Sequence, residues 1–243
     1  MSFRPLSELI VVPGHAVFIE GCTTADKVGL ESSRVGGYHG EGKLYAEHVE
    51  AGVRRAKDSE SLLVFSGGMT QEKAGMRSEG ESYWEIARDH GWLQGAGISE
   101  RAVSEQFARD SFENLLFSIA RFKKQIGKWP QKMTALGWQF KARRFDLHRR
   151  AMKWSAERFQ YIGVNNPEGA ALEKAIISEA ATIQAVERDL FLTGPEFLAK
   201  RELRDPFHRQ HPYRGIDPEL DNLFDFLDRN TYSHSFPWAV AKS

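Results

Sequence analysis

The side chains of this chain that could do chemistry together fall into three groups: proton carriers, cations and glycine turns. His15 follows a short apolar run through Pro13-Gly14, and an imidazole at such a strand end could move protons near neutral pH. Glu79, directly after Ser78, is a second candidate for general acid–base work, or for holding a cation. Arg109, Lys141 and Arg144 are candidate anion holders, since a guanidinium or ammonium beside a strand end can meet a phosphate or carboxylate. Gly14 and Gly67-Gly68 end apolar runs, where glycine lets a ligand approach the backbone, and the Gly67 and Gly68 amides are expected to assist anion binding. In Arg109-Asp110-Ser111-Phe112-Glu113-Asn114, Ser111 and Asn114 could orient polar ligand atoms, with Glu113 beside them. The same segment also reads as a capped helix start, with Asp110 or Ser111 as N-cap and a carboxylate in the first turn. Ser78, followed three residues later by Glu81, is likewise a capping pattern.

Several other chemistries are excluded by what the sequence lacks. No Gly-Lys-Ser/Thr follows either glycine turn, and neither fits Gly-x-Gly-x-x-Gly, so both the Walker loop and the dinucleotide fingerprint are absent. Without a Gly-x-Ser-x-Gly elbow a serine hydrolase is disfavoured. The single cysteine, Cys22, excludes a disulfide framework and a multi-cysteine zinc site, and His208 and His211 lack His-x-x-x-His spacing, so no metal site is expected. The 33 basic residues balance 33 acidic ones, which leaves no basic field for a long nucleic acid. No apolar stretch approaches a membrane span, and the first residues lack the apolar core of a signal peptide. The expectation is a cytoplasmic protein.

Strands and helices must position these residues, and the hydropathy pattern supplies them. Leu9–Val12 is a short, continuous apolar run, the mark of a strand covered on both faces; Ser61–Phe65 is a second buried strand and Met133–Trp138 the next. Arg101–Gln106 and Phe159–Val164 are further strand candidates. Helical spacing connects the runs: Leu44 to Ala56, Glu79 to His90, the Arg109 segment to Gln125, and a stretch through Leu147, Met152 and Trp154. A Gly-, Ser- and Thr-rich loop covers 20–42, and a basic loop, Lys141-Ala142-Arg143-Arg144, follows the strand at Met133. The basic face continuing through His148, Arg149 and Arg150 is expected to be solvated. Residues 168–203 are helical with a break at Thr193-Gly194-Pro195. The segment 204–243, rich in Pro and aromatics, is expected to be an arm packed across the domain. Alternation of strand, loop and helix predicts an α/β fold: one Rossmann-like three-layer domain over 8–203 with a mostly parallel sheet, then the extension 204–243. In such sheets the strand C-terminal ends form the ligand crevice, which would gather the three groups at one edge.

These motifs resemble the SanA/YdcF/ElyC-like domain family: Val-Val-Pro-Gly-His at 11–15, Leu-Val-Phe-Ser-Gly-Gly at 63–68, Arg-Ser-Glu-Gly-Glu at 77–81, Arg109–Asn114, and Gly137–Arg144, in family order. The resemblance covers about residues 8–165 and is nearest the soluble eukaryotic, fungal-like branch. It implies a Rossmann-like fold with a polar pocket at the strand ends and no agreed reaction. Its bacterial members are linked to envelope integrity and lipid-carrier metabolism, and the YdcF type to binding S-adenosylmethionine. By position the pocket would contain Gly14, Gly67, Gly68, Ser78, Glu79, Arg109, Ser111, Glu113, Asn114 and Arg144. Lys141 stands where bacterial members usually carry a histidine, so a role for that histidine does not transfer unchanged.

The function these readings favour is binding of a small anionic, nucleotide-like metabolite at the strand-end crevice, of the S-adenosylmethionine type or phosphorylated. One alternative is a hydrolase or transferase acting on a phosphorylated substrate. The other is a non-enzymatic adaptor that binds a protein partner through 204–243.

Overall fold

The computed structural model describes residues 6–19, 34–37, 40–229 and 236–238. Cys22, His39 and His234, with most of the 20–42 loop, lie outside the described residues. In chain order the elements are β1 (Glu8–Pro13), β2 (Val17–Phe18), β3 (Arg34–Val35), α1 (Gly42–Lys57), β4 (Ser61–Ser66), α2 (Glu79–Asp89) and β5 (Ala102–Glu105). They continue with α3 (Ser111–Ile126), β6 (Lys132–Trp138), α4 (Ala142–Ala151), β7 (Phe159–Asn165), α5 (Gly169–Arg188), α6 (Pro195–Leu203) and α7 (Pro218–Arg229).

Five strands form one parallel sheet in the order β5-β4-β1-β6-β7, and β2 pairs with β3 in a separate antiparallel ribbon. The chain winds outward from β1 through β4 to β5, then crosses back to β6 beside β1 and winds outward again. Side chains of β1 alternate between two cores. Leu9 and Val11 pack with α3, α4 and the C-terminal segment, whereas Ile10 and Val12 pack with α1 and α2. This is the Rossmann-like three-layer arrangement expected from the continuous apolar runs, because a strand covered on both faces has no use for a polar alternate position. α1 lies so close to β1 that a Cβ on Gly52 would come within 2.3 Å of the Val12 side chain. The order reverses between β1 and β6, and adjacent loops part there, leaving the crevice of a doubly wound sheet.

Local signals set the helix ends. Asp110 caps α3 by accepting from the N–H groups of Phe112 and Glu113, both at 2.9 Å, and Gly127 ends it at φ +78°. Ser78 caps α2 by accepting from Glu81 N at 3.0 Å. One expected loop proves to be structured: Gln139–Lys141 is a 3₁₀ turn and Ala142 already belongs to α4.

The C-terminal segment is part of the main core. Tyr213, Leu220, Leu223, Phe224, Phe226, Phe236 and Trp238 are buried with α3 and α4 side chains. Trp238 stacks beside Trp129 and Trp154 and donates its indole N–H to Met152 O at 2.9 Å. Among the described residues no helix is long and apolar enough to cross a membrane.

Candidate functional site

A cavity of about 340 Å³ opens at the switch point, over the C-terminal ends of β1 and β6. Gly14, His15 and Trp138 form its floor, the mouth of α3 presents Ser111 and Asn114, and Lys141 enters from the 3₁₀ turn and Arg144 from α4. Glu179 of α5, with Lys200 and Arg204 from the α6 end, closes the opposite side. Glu41, Tyr45 and Glu79 complete the wall.

The cations of this region divide by partner. Arg109 grips Glu113 with two bonds, 3.0 and 2.7 Å, and lies 3.5 Å from Asp205. Arg201, nearly fully buried, is held by Asp110 at 2.6 Å and Glu113 at 3.3 Å. Arg144 faces Glu179 at 2.9 Å, without the alignment of a hydrogen bond. Lys141, Lys200 and Arg204 have no carboxylate within ion-pair distance among the described residues. Arg204 donates to the Arg109 carbonyl at 2.9 Å. Of the three cations singled out by the sequence, Arg109, Lys141 and Arg144, the first is paired with Glu113 and Asp205, and the sequence overlooked Lys200 and Arg204. Their signal is weak: two cations four apart at a helix end are ordinary surface residues until α6 docks on the α3 mouth.

Glu79 is wedged between the first two strand ends. A Cβ on Gly14 would approach the Glu79 Cβ to 2.5 Å, and one on Gly67 would come within 2.6 Å of its Oε2. Thr70 donates to the carboxylate. Burial raises the Glu79 pKa, and the Arg204 charge opposes that rise only in part. A buried carboxyl whose pKa is raised beside a polar cavity is a candidate for proton transfer.

The two glycines thus make room for this side chain. The expected use of the Gly67 and Gly68 amides is not available, because they donate to Glu105 O at 3.0 Å and Ala108 O at 2.6 Å. Neither residue lines the cavity. Ser78 is also off the wall, its hydroxyl committed to the α2 cap. Glu113 points behind the helix mouth, accepting from the Arg109 backbone N–H at 2.8 Å as well as from its guanidinium.

His15 lies among the rings of Tyr45, His48 and Trp138, at centroid distances of 5.5, 5.7 and 6.1 Å. Burial first, then Lys141, push its pKa well below the usual histidine value, so the ring is neutral. Its Nδ1 lies 3.5 Å from Lys141 Nζ. His48, on the inner face of α1, donates from Nε2 to Asn165 Oδ1 at 2.7 Å, and burial lowers its pKa to about 4.

His148 falls inside the core, contrary to the expected solvated basic face, and its Nε2 meets Ser111 Oγ at 2.8 Å. Its other nitrogen, Nδ1, is buried without a partner. A stranded N–H costs more than a bare ring nitrogen, so the proton belongs on Nε2 and is donated to Ser111. The Ser111 hydroxyl hydrogen is then free to point into the cavity, where it is a donor for an anion. Asn114, by contrast, spends its Oδ1 on Ser66 Oγ at 2.9 Å. Of the expected site residues, the fold gathers Gly14, His15, Glu79, Arg109, Ser111, Asn114, Lys141 and Arg144 around one cavity. Among the described residues no group of His, Cys, Asp and Glu is arranged to hold a metal, and His211 packs its ring on Phe117 and Phe224.

No known protein-family profile and no solved structure matches the chain. Among curated proteins, the uncharacterized protein YOR238W of Saccharomyces cerevisiae is 25% identical over 261 residues, spanning 85% of this chain and 86% of the yeast protein.

Proposed function

We propose that this protein binds a small phosphorylated metabolite, of about mononucleotide size, in the strand-end cavity. The observation that carries this reading is the convergence of Arg144, Lys200 and Arg204 on one cavity, the last two with no carboxylate in ion-pair reach among the described residues. Cations brought together repel one another, Glu179 on the same wall offsets this only in part, and an anionic ligand relieves the rest. The volume is at the small end of the range for small-molecule sites. Arg144 and the Ser111 hydroxyl would add directed hydrogen bonds.

Membership of the SanA/YdcF/ElyC-like family belongs to the same proposal, supported by the way its motifs border the cavity at His15, Glu79, Ser111, Lys141 and Arg144. S-adenosylmethionine, which that resemblance raises, carries a sulfonium cation, and the charge of the wall favours a phosphate instead. We also propose a cytoplasmic setting, which fractionation of the tagged chain checks.

Thermal melting with phosphate, pyrophosphate, AMP, ADP, sugar phosphates and S-adenosylmethionine tests the binding. Saturation at about a hundred times Kd adds roughly 2.7 kcal/mol of apparent stability, a shift of several degrees. The phosphorylated compounds should raise the midpoint, and Arg144→Ala and Arg204→Ala should each reduce the shift. No shift for any anion, or equal shifts in the variants, removes the proposal. Arg109→Ala is the wrong probe, because it also breaks the Glu113 and Asp205 contacts.

Glu79 supports a second reading, turnover of the bound phosphorylated compound, since a carboxyl whose pKa is raised by burial and a neutral imidazole border the same cavity. Product formation lost in Glu79→Gln, with binding kept, would separate an enzyme from a binder. The adaptor reading gains no support from the aromatics of the C-terminal segment among the described residues, which are largely in the core.

A further inference from the structure

Lys141 differs from the neighbouring cations. Arg109, Arg144 and Arg201 each face a carboxylate, whereas the polar atom set against Lys141 Nζ is Nδ1 of His15, at 3.5 Å. The second ring nitrogen of His15, Nε2, is buried without a partner. The rule that places the proton of His148 applies again: an unpaired buried N–H costs more than an unpaired lone pair, so His15 carries its hydrogen on Nδ1. That N–H points at Nζ. An ammonium has three hydrogens and no lone pair, so the group that can accept there is the free amine. Burial, then the Arg144 guanidinium, bring Lys141 down to a pKa of about 7, with Arg204 assisting and Glu179 and Glu41 opposing. At neutral pH a large share of this lysine is then free amine, which is a nucleophile.

We propose that Lys141 forms an imine with an aldehyde or ketone that carries a phosphate or carboxylate, an inference that rests on the anion-binding reading of the same cavity. The Nζ lone pair adds to the carbonyl carbon and the carbonyl oxygen is protonated, giving a carbinolamine. The oxygen then leaves as water, and the two hydrogens it loses from the site are those of the amine. One C=O bond and two N–H bonds are exchanged for one C=N bond and water, with no oxidant or reductant required. Arg144, Lys200 and Arg204 border the cavity and hold the anionic group, which fixes the carbonyl end near Nζ. Glu79, on the same wall with its raised pKa, is the acid that assists departure of the oxygen.

Trapping tests this directly. The full chain is incubated near neutral pH with glycolaldehyde phosphate or glyoxylate and sodium cyanoborohydride, then analysed by intact mass and peptide mapping. The expected result is one adduct per chain on Lys141, formed at least about tenfold faster than on any other lysine, with neutral glycolaldehyde lacking that preference. Lys141→Arg should abolish the single-site adduct, and the wild-type map stands even if that variant folds poorly. Melting shifts with unreactive phosphate are measured in parallel. A phosphate shift without a preferred adduct on Lys141 overturns imine formation and leaves anion binding intact. Absence of both overturns the two together.

Discussion

Replacing Arg201 by methionine should destabilise the protein by about 3–5 kcal/mol, the range found when one partner of a buried ion pair is removed. The magnitude follows from the geometry. Arg201 is 6% exposed, Asp110 8% and Glu113 4%, so the carboxylates left behind cannot be rehydrated without opening the α3 mouth. Arg109 still holds Glu113, but Asp110 loses its guanidinium at 2.6 Å. At roughly 2–4 °C per kcal/mol for a chain of this size, the melting midpoint should fall by about 6–20 °C.

Titration gives the prediction a signature. Burial alone would raise the Asp110 carboxyl, but Arg201 and the Glu113 N–H outweigh it and hold the pKa at about 2. Such a depressed carboxylate contributes stability that is fully present above the ordinary value near 4 and is lost as the pH falls through about 2. In Arg201→Met that contribution vanishes and burial raises Asp110 instead. The deficit against wild type should therefore be largest near neutral pH and shrink on acidification. Urea unfolding at roughly pH 7 and pH 4.5 reads both. Asp110→Asn keeps the capping oxygen but removes the charge, so the same Arg201 change made in that background should cost much less. A deficit under about 1 kcal/mol, or one unaltered by Asp110→Asn, would refute the idea that this pair ties α6 to the helix mouth.

Two further outcomes are expected. Gly80→Ala should destabilise more than Gly67→Ala: its Cβ would fall 2.3 and 2.5 Å from the carbonyls of Glu105 and Phe65, which are sheet backbone, whereas Gly67 meets the side chain of Glu79 at 2.6 Å. Overpacking of this kind costs about 1–3 kcal/mol where neighbours can move, and urea midpoints in the reverse order would contradict the reading. Burial holds His48 and His148 neutral in the fold, at about 4 and about 3, while the unfolded chain takes up their protons near pH 6.5. The unfolded state thus binds more protons below that pH, so stability is full above it and falls as the pH drops. His148→Gln, which removes one titration, should shallow the fall between roughly pH 7 and pH 5 by up to about 1.4 kcal/mol per pH unit; an unchanged slope would count against a neutral His148.

Much of this molecule is determined by short-range pattern. The continuous apolar runs at Leu9–Val12 and Leu62–Phe65 identify strands covered on both faces, and Asp110 and Ser78 announce their helices because a cap is a contact within a few residues. From those elements the class of fold and the edge where a ligand would sit follow by topology. What the tertiary structure alone decided is which polar groups remain available at that edge. Arg109 has the right position but is consumed by Glu113 and Asp205, and the Gly67 and Gly68 amides are consumed by carbonyls of the β5 strand and the turn after it. His148 looks like one more solvated charge until the rotation of α4 turns it inward onto Ser111. Lys200 and Arg204 join Lys141 only when α6 docks on the α3 mouth. Side-chain period and capping are local and so are written in adjacent residues. Hydrogen-bond partners and counter-charges come from segments far apart in the chain, and the state of a lysine or histidine depends on which of them it meets.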